Sequence, residues 1–239
     1  MNQVELLLKE SKKLSNRLNK IEFSEPVAFV YNPWHYAWEC HADYLKKYGK
    51  GKKKILLMGM NPGPFGMAQT GVPFGEIAAA RDYLKIKGKL RIPRKTHPKR
   101  PIQGFECPRS EVSGRRLWGY FSSLYPNAKD FFKDYFVLNY CPLAFLGETG
   151  KNITPDKLLK KEREEIQFLC DEYLRKVTQI FQPQYLLGVG AYAEKAFQRA
   201  AGDSFDGVIS KILHPSPASP SANRGWAEQV ERQLQEIVV

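Results

Sequence analysis

The 239-residue chain has few of the residues that build metal, redox and disulfide sites, with only four cysteines and four histidines. Cys40, Cys107, Cys141 and Cys170 are scattered, and no two form a C-x-x-C pair. That excludes the common zinc, iron–sulfur and dithiol arrangements. Scattered thiols fit a reducing, intracellular compartment. No apolar run is long enough to cross a bilayer, and the opening "MNQVELLLKESKKL" lacks the h-region of a signal peptide, so a soluble protein without a membrane partner is expected. Also missing are a P-loop lysine pattern, a G-x-S-x-G serine elbow and the H-x-E with P-C-x-x-C of zinc deaminases. No segment repeats. Acidic residues are scarce as well, with 25 Asp and Glu against 37 Lys and Arg, a net charge of +12. Such an excess points to a polyanionic partner; a merely basic enzyme is the plain alternative.

What is present is an alternation of short apolar runs and helical patterns. Residues 2–21 read as an amphipathic helix, with Leu7, Leu14 and Leu18 on one face. "WHYAWECHADYLKKYG" reads as a second helix ending at Gly49. Strands are expected over Lys54–Met60, Phe136–Tyr140, Gln184–Val189 and Val208–Leu213. Helices are expected over Glu76–Leu84, Asp156–Phe181 (Thr154 as N-cap, Pro155 at its first position), Ala191–Ala201 and from about Ser219 onward. Lys85–Pro101 reads as a long basic loop or lid. The pattern predicts an α/β fold with a mainly parallel sheet covered on both faces. Right-handed crossovers bring the strand C-termini to one edge, where ligands bind in such folds.

Three unusual segments leave strands at that edge. In "MNPGPFG", Pro62 and Pro64 stiffen the loop, and Gly63 lets backbone approach a ligand. Phe74, in "GVPFGE", sits between proline and glycine, poorly placed for a core and suited to stacking on a planar ring. Asn139 ends the run "FVLN". A buried carboxamide offers donors beside an acceptor, which complements the uracil edge; a bond to a neighbouring loop would satisfy it equally. His214 heads "HPSPASP", where Ser216 and nearby amides suit a phosphate and a polar connector is the plain reading. "GVGAYA", Gly188–Ala193, has the form of a dinucleotide fingerprint, but too little chain follows to complete such a domain.

The blocks "GMNPGPFGMAQTGVPFGE", "HPKRPIQGFECPRSEVSGRRLWG", "NYCPLAFL" and "LHPSPASPSANRGW" resemble the single-strand-selective monofunctional uracil-DNA glycosylases, in order and across most of residues 54–230. The resemblance implies a three-layer α/β/α sandwich around a four-stranded, mainly parallel sheet. A single domain over residues 1–239 is expected, with residues 1–50 as a helical segment packed on it. It implies removal of uracil and 5-substituted uracils such as 5-hydroxymethyluracil from single- and double-stranded DNA, by a monomer without metal or cofactor. Carried over by position, Asn61 holds the attacking water and His214 binds uracil O2. Phe74 stacks on the base, Asn139 reads its edge, and Met60 and Gly63 line the pocket. Pro215, Ser216, Pro217, Ala218 and Ser219 press on DNA, with Lys99 and Arg100 adding backbone affinity. The chain departs from the pattern at the loop tip. Where the family commonly carries an arginine after "HPSP", this chain has Ala218, which implies weaker filling of the gap left in a duplex. Two rivals stand beside this reading: a mismatch-specific thymine/uracil glycosylase, which lacks the histidine, and a non-catalytic DNA-binding protein on the same fold.

Overall fold

The computed structural model describes residues 1–238, the side chain of Asp203 excepted. The first helix, α1 (Gln3–Leu18), opens with a reciprocal cap. Asn2 Oδ1 accepts from the Glu5 amide at 3.0 Å, and the Asn2 amide donates to Glu5 Oε2 at 2.9 Å. Its face of Leu7, Leu14 and Leu18 is buried, and the helix packs on α7 (Lys160–Phe181). After β1 (Phe29–Tyr31) the expected second helix is two: α2 (Pro33–Tyr36) and α3 (Trp38–Tyr48), parted at Ala37 where ψ turns to 30°.

Then come β2 (Ile55–Gly59), a single turn α4 (Met67–Thr70), α5 (Val112–Leu124), α6 (Ala128–Asp134) and β3 (Tyr135–Asn139). The helix expected over Glu76–Leu84 contains a π-helical turn at Ala79–Tyr83. Two short strands follow, β4 (Ala144–Leu146) and β5 (Asn152–Ile153). Pro155 opens a 3-10 turn rather than the long helix, so α7 starts five residues later than Pro155. The remainder is β6 (Tyr185–Val189), α8 (Ala191–Ala201), β7 (Val208–Ile212), α9 (Pro220–Asn223) and α10 (Trp226–Ile237). The expected last helix is thus split, at Gly225 with φ +100°.

The main sheet has the order β3-β2-β6-β7, and every pairing in it is parallel. Strands β2 and β6 are buried along their whole length, as a sheet covered by helices on both faces requires. The chain leaves β2 for β3 on one side and later returns to β6 on the other. The loops therefore diverge at the carboxyl ends of β2 and β6, which opens a crevice there. A second, antiparallel sheet, β1-β4-β5, was not foreseen because its strands have two or three residues each. All four cysteines are free and buried. Just past β3, the Tyr140 hydroxyl donates to Asp171 Oδ1 at 2.6 Å, and Arg199 bonds both Asp171 oxygens at 2.8 Å. This charged knot fastens the end of β3 to α7 and α8.

Candidate active site

A cavity of about 360 Å³ opens at the carboxyl ends of these strands. Its walls hold Met60, Asn61, Gly63, Phe74, Asn139, His214 and Ser216, so the structure brings together residues drawn from three separate segments of the sequence. Lys99 and Arg100 are not in the wall, and Pro217 and Ala218 are exposed beyond it.

The register explains the floor. Gly59 pairs with Asn139 across β2 and β3. A Cβ on Gly59 would come within 2.5 Å of the Phe74 ring and 2.6 Å of Asn139 Oδ1, so only glycine lets all three meet. Phe74 differs from its expected setting: it is 7% exposed and packed in the main core while one part faces the cavity. Its φ of +51° is unusual for a bulky residue, and its carbonyl accepts from Trp118 Nε1 at 3.1 Å.

The two carboxamides are oriented by their partners. Asn61 Nδ2 donates to the Leu143 carbonyl at 3.2 Å, leaving Oδ1 as a free acceptor. Asn139 Nδ2 lies 3.1 Å from Met67 Sδ, a thioether that can only accept, so the nitrogen of the amide must face it. Asn139 is 3% exposed.

His214 sits opposite, on the loop after β7. Burial lowers its pKa, which favours the neutral ring. Gly190 packs against it: a Cβ there would lie 3.1 Å from His214 Cβ. The glycine of "GVGAYA" thus meets the histidine side chain. The loop itself is braced by Arg116, whose guanidinium donates to the Pro215 and Ser216 carbonyls at 3.2 and 3.3 Å and to Asn223 Oδ1 at 2.8 Å. Its amides were expected to meet a phosphate, but two are engaged within the loop. The Ala218 amide donates to Ser216 Oγ at 3.1 Å, and the Ser219 amide to the Ser216 carbonyl at 3.1 Å.

Sequence reasoning missed several wall residues: Met67, Glu111, Ser113, Asn152 and Thr154. Met67 and Glu111 lie inside quoted blocks but carried no signal of a role. Thr154 was read as a helix cap. Glu111 is partly exposed as a residue, yet its carboxyl is enclosed, and a Cβ on Gly63 or Gly66 would overlap it. Burial pushes this carboxyl up to about 7, with Glu76 adding to the rise and the Gly114 amide opposing it.

The Uracil DNA glycosylase superfamily profile matches residues 46–235. The single-strand selective monofunctional uracil-DNA glycosylases of rat and cow are each 47% identical to this chain over 231 residues. Those alignments span 96% of this chain and 83% and 85% of the two relatives. The chain belongs to this family. Likeness to the relatives therefore extends well beyond the quoted blocks and into the N-terminal helices. A crystal structure of Pedobacter heparinus SMUG2 shares the fold, with a TM-score of 0.66 over 95% of this chain and 96% of that one, at 17% identity. In this glycosylase family member, the cavity lies at the carboxyl ends of its own parallel strands.

Proposed function

We infer that the protein is a monofunctional uracil-DNA glycosylase that hydrolyses the bond between uracil and deoxyribose in DNA and so begins base excision repair. Family membership supports that much. The finer reading of the site rests on one observation: Asn61 and His214, carried by the first and last strands of the main sheet, line one cavity together with the edge-reading Asn139.

A carboxamide takes no proton near neutral pH, so Asn61 does not act as a general base. With Nδ2 given to Leu143, its Oδ1 accepts a hydrogen from water and aims the oxygen at C1′. An oriented but unactivated water suffices if the glycosidic bond breaks early, leaving an oxocarbenium-like sugar and a uracil anion. Neutral His214 donates one N–H toward uracil O2, where the leaving charge gathers, a role typically worth about 3 kcal/mol. Asn139 Oδ1 accepts from uracil N3–H while the second hydrogen on Nδ2 meets O4. Cytosine presents the inverted pattern and is refused. Phe74 supplies the face against which the extruded base stacks.

In that pose the base carbon bearing 5-substituents is next to O4, and so on the side of Met67. A methionine side chain adapts its shape to a neighbour and Gly63 has no side chain, which supports acceptance of 5-hydroxymethyluracil as well as uracil. The test is release of free base from oligonucleotides carrying uracil, 5-hydroxymethyluracil or thymine. Wild type should release the first two. Asn61→Ala and His214→Ala should each lose about a hundredfold or more in kcat while melting like wild type. Full activity in Asn61→Ala would overturn the assignment.

A further inference from the structure

Outside the cavity, Phe65 stands at the tip of the loop that carries Asn61. The guanidinium carbon of Arg109 lies 4.0 Å from its ring centroid and that of Arg100 lies 5.1 Å from it. Neither arginine forms an ion pair among the described residues. Arg100 Nη1 donates to the neighbouring Lys99 carbonyl at 2.9 Å, and its Nε is buried without a partner. Two cations held on one ring repel each other, and an anion placed against them relieves that repulsion.

The arrangement is held from below by a fully buried glutamine. Gln69 Nε2 donates to the Pro64 carbonyl at 2.9 Å and to the Pro101 carbonyl at 3.0 Å. Its Oε1 accepts from the Gln103 and Gly104 amides at 2.8 and 3.1 Å. Every bonding position of the carboxamide is used, and the Phe65 loop is tied to the segment bearing Arg100. That segment, expected to be a long loop or lid, is pinned at its end. The Tyr31 hydroxyl donates to the Arg100 carbonyl at 2.8 Å and accepts from the His97 amide at 2.7 Å. His97 is buried, with Nδ1 accepting from the Lys99 amide at 3.0 Å and Nε2 donating to the Glu148 carbonyl at 2.9 Å.

We propose that Arg100 and Arg109, carried on Phe65, form a phosphate clamp that grips the backbone of the damaged strand beside the extruded nucleotide. The ligand is a phosphodiester of a DNA strand, and the proposal rests on the reading that a base from that strand occupies the cavity. The clamp adjoins the cavity through the chain itself: Phe65 lies between Gly63 and Gly66, and Arg109 is two residues before Glu111 of the wall. Planar guanidiniums stacked on an aromatic ring lose little freedom on meeting a phosphate, unlike the exposed lysines nearby. A grip on one strand also serves a protein whose loop tip, at Ala218, has little to push into a duplex.

The experiment measures base release from a single-stranded uracil oligonucleotide over a range of salt concentrations. Wild type is compared with Arg109→Ala, Arg109→Lys, Phe65→Leu and the remote surface variant Lys129→Ala. Arg109→Ala should raise KM about tenfold at low salt and flatten the slope of log KM against log salt by about 0.7. Arg109→Lys should keep the slope, and Phe65→Leu should raise KM by a smaller factor. Lys129→Ala should change neither quantity. A wild-type slope and KM in Arg109→Ala would overturn the clamp, as would equal effects in Lys129→Ala. Absence of base release by wild type would instead overturn the glycosylase reading on which the clamp rests.

Discussion

The loop that leaves β2 and the loop that leaves β7 deliver Asn61 and His214 to the same cavity, and they are secured by unlike means. The first is packed from behind: Gln69 bonds its Pro64, Glu111 fills the space beside Gly63 and Gly66, and Leu143 takes the Asn61 amide. The second is exposed at Pro217 and Ala218 and is held from the side by Arg116 and by Asn223, whose Nδ2 donates to the Pro217 carbonyl at 2.9 Å. On the proposed reading Asn61 holds the attacking water and must be fixed to within a fraction of an ångström, which the packing of its loop provides. The other loop, on the same reading, meets a nucleic acid from outside through its exposed tip, Pro217 and Ala218, while Pro215 is buried and anchors it. On that reading, rigidity on one wall and surface on the other divide the work between chemistry and substrate capture.

Substitutions on the packed side should be the most damaging. Gly63→Ala sets a methyl group where the Glu111 carboxyl now lies, so that carboxyl or the loop must give way. Turnover should fall about a hundredfold, because small misplacement of a reacting group costs that much. An unchanged kcat would show that the Glu111 carboxyl yields and the loop keeps its place. Arg116→Ala, on the exposed side, releases the Pro215 and Ser216 carbonyls. Loss of those charge-assisted bonds should lower kcat/KM about tenfold, and near-wild-type kinetics would show that the prolines alone hold the loop.

The packed wall also stores a titration. Glu111 has its carboxyl raised from 4.5 to about 7, so the folded state holds the proton more tightly than the unfolded chain. The cost of ionising it is absent below about pH 4.5, grows as pH rises and is complete above about 7. Glu111→Gln should therefore be more stable than wild type above pH 7 by about 3 kcal/mol, with the gap closing on acidification. Urea melts at pH 5 and pH 8 check this, and a pH-independent difference would sink it. The smallest effect belongs to the exposed tip. Ala218→Arg should raise activity on duplex relative to single-stranded uracil DNA about threefold, by filling more of the vacated stack. A fall in that ratio would refute the account of the tip.

The parallel sheet was readable because its strands are short apolar runs set between amphipathic helices, and each of the four begins and ends within a residue or so of its expected place. The meeting of Asn61 and His214 at one edge was readable because unusual proline-rich segments leave two strands there. Residues that act by contact across the fold left no such trace. Gln69 and Met67 stand in an ordinary-looking "MAQT", and their value comes from Pro101 and Asn139, distant in sequence. Phe74 shows the opposite failure: local reasoning took it out of the core, whereas Gly59 makes room for it there. Helix α5 was hidden by Gly114 and Gly119, poor helix formers that packing overrides.

The bond from Asn61 to Leu143 has a reach beyond the cavity. Leu143 leads directly into β4, and β4 is zipped to β1, with Tyr31 opposite Ala144 and Phe29 opposite Leu146. The superfamily profile begins only at residue 46, after β1 has ended. A chain cut back to that boundary would keep both motifs and strip β1 from behind the strand whose neighbour, Leu143, accepts from Asn61. The support of the Asn61 side chain thus begins earlier than the stretch by which the superfamily is recognised.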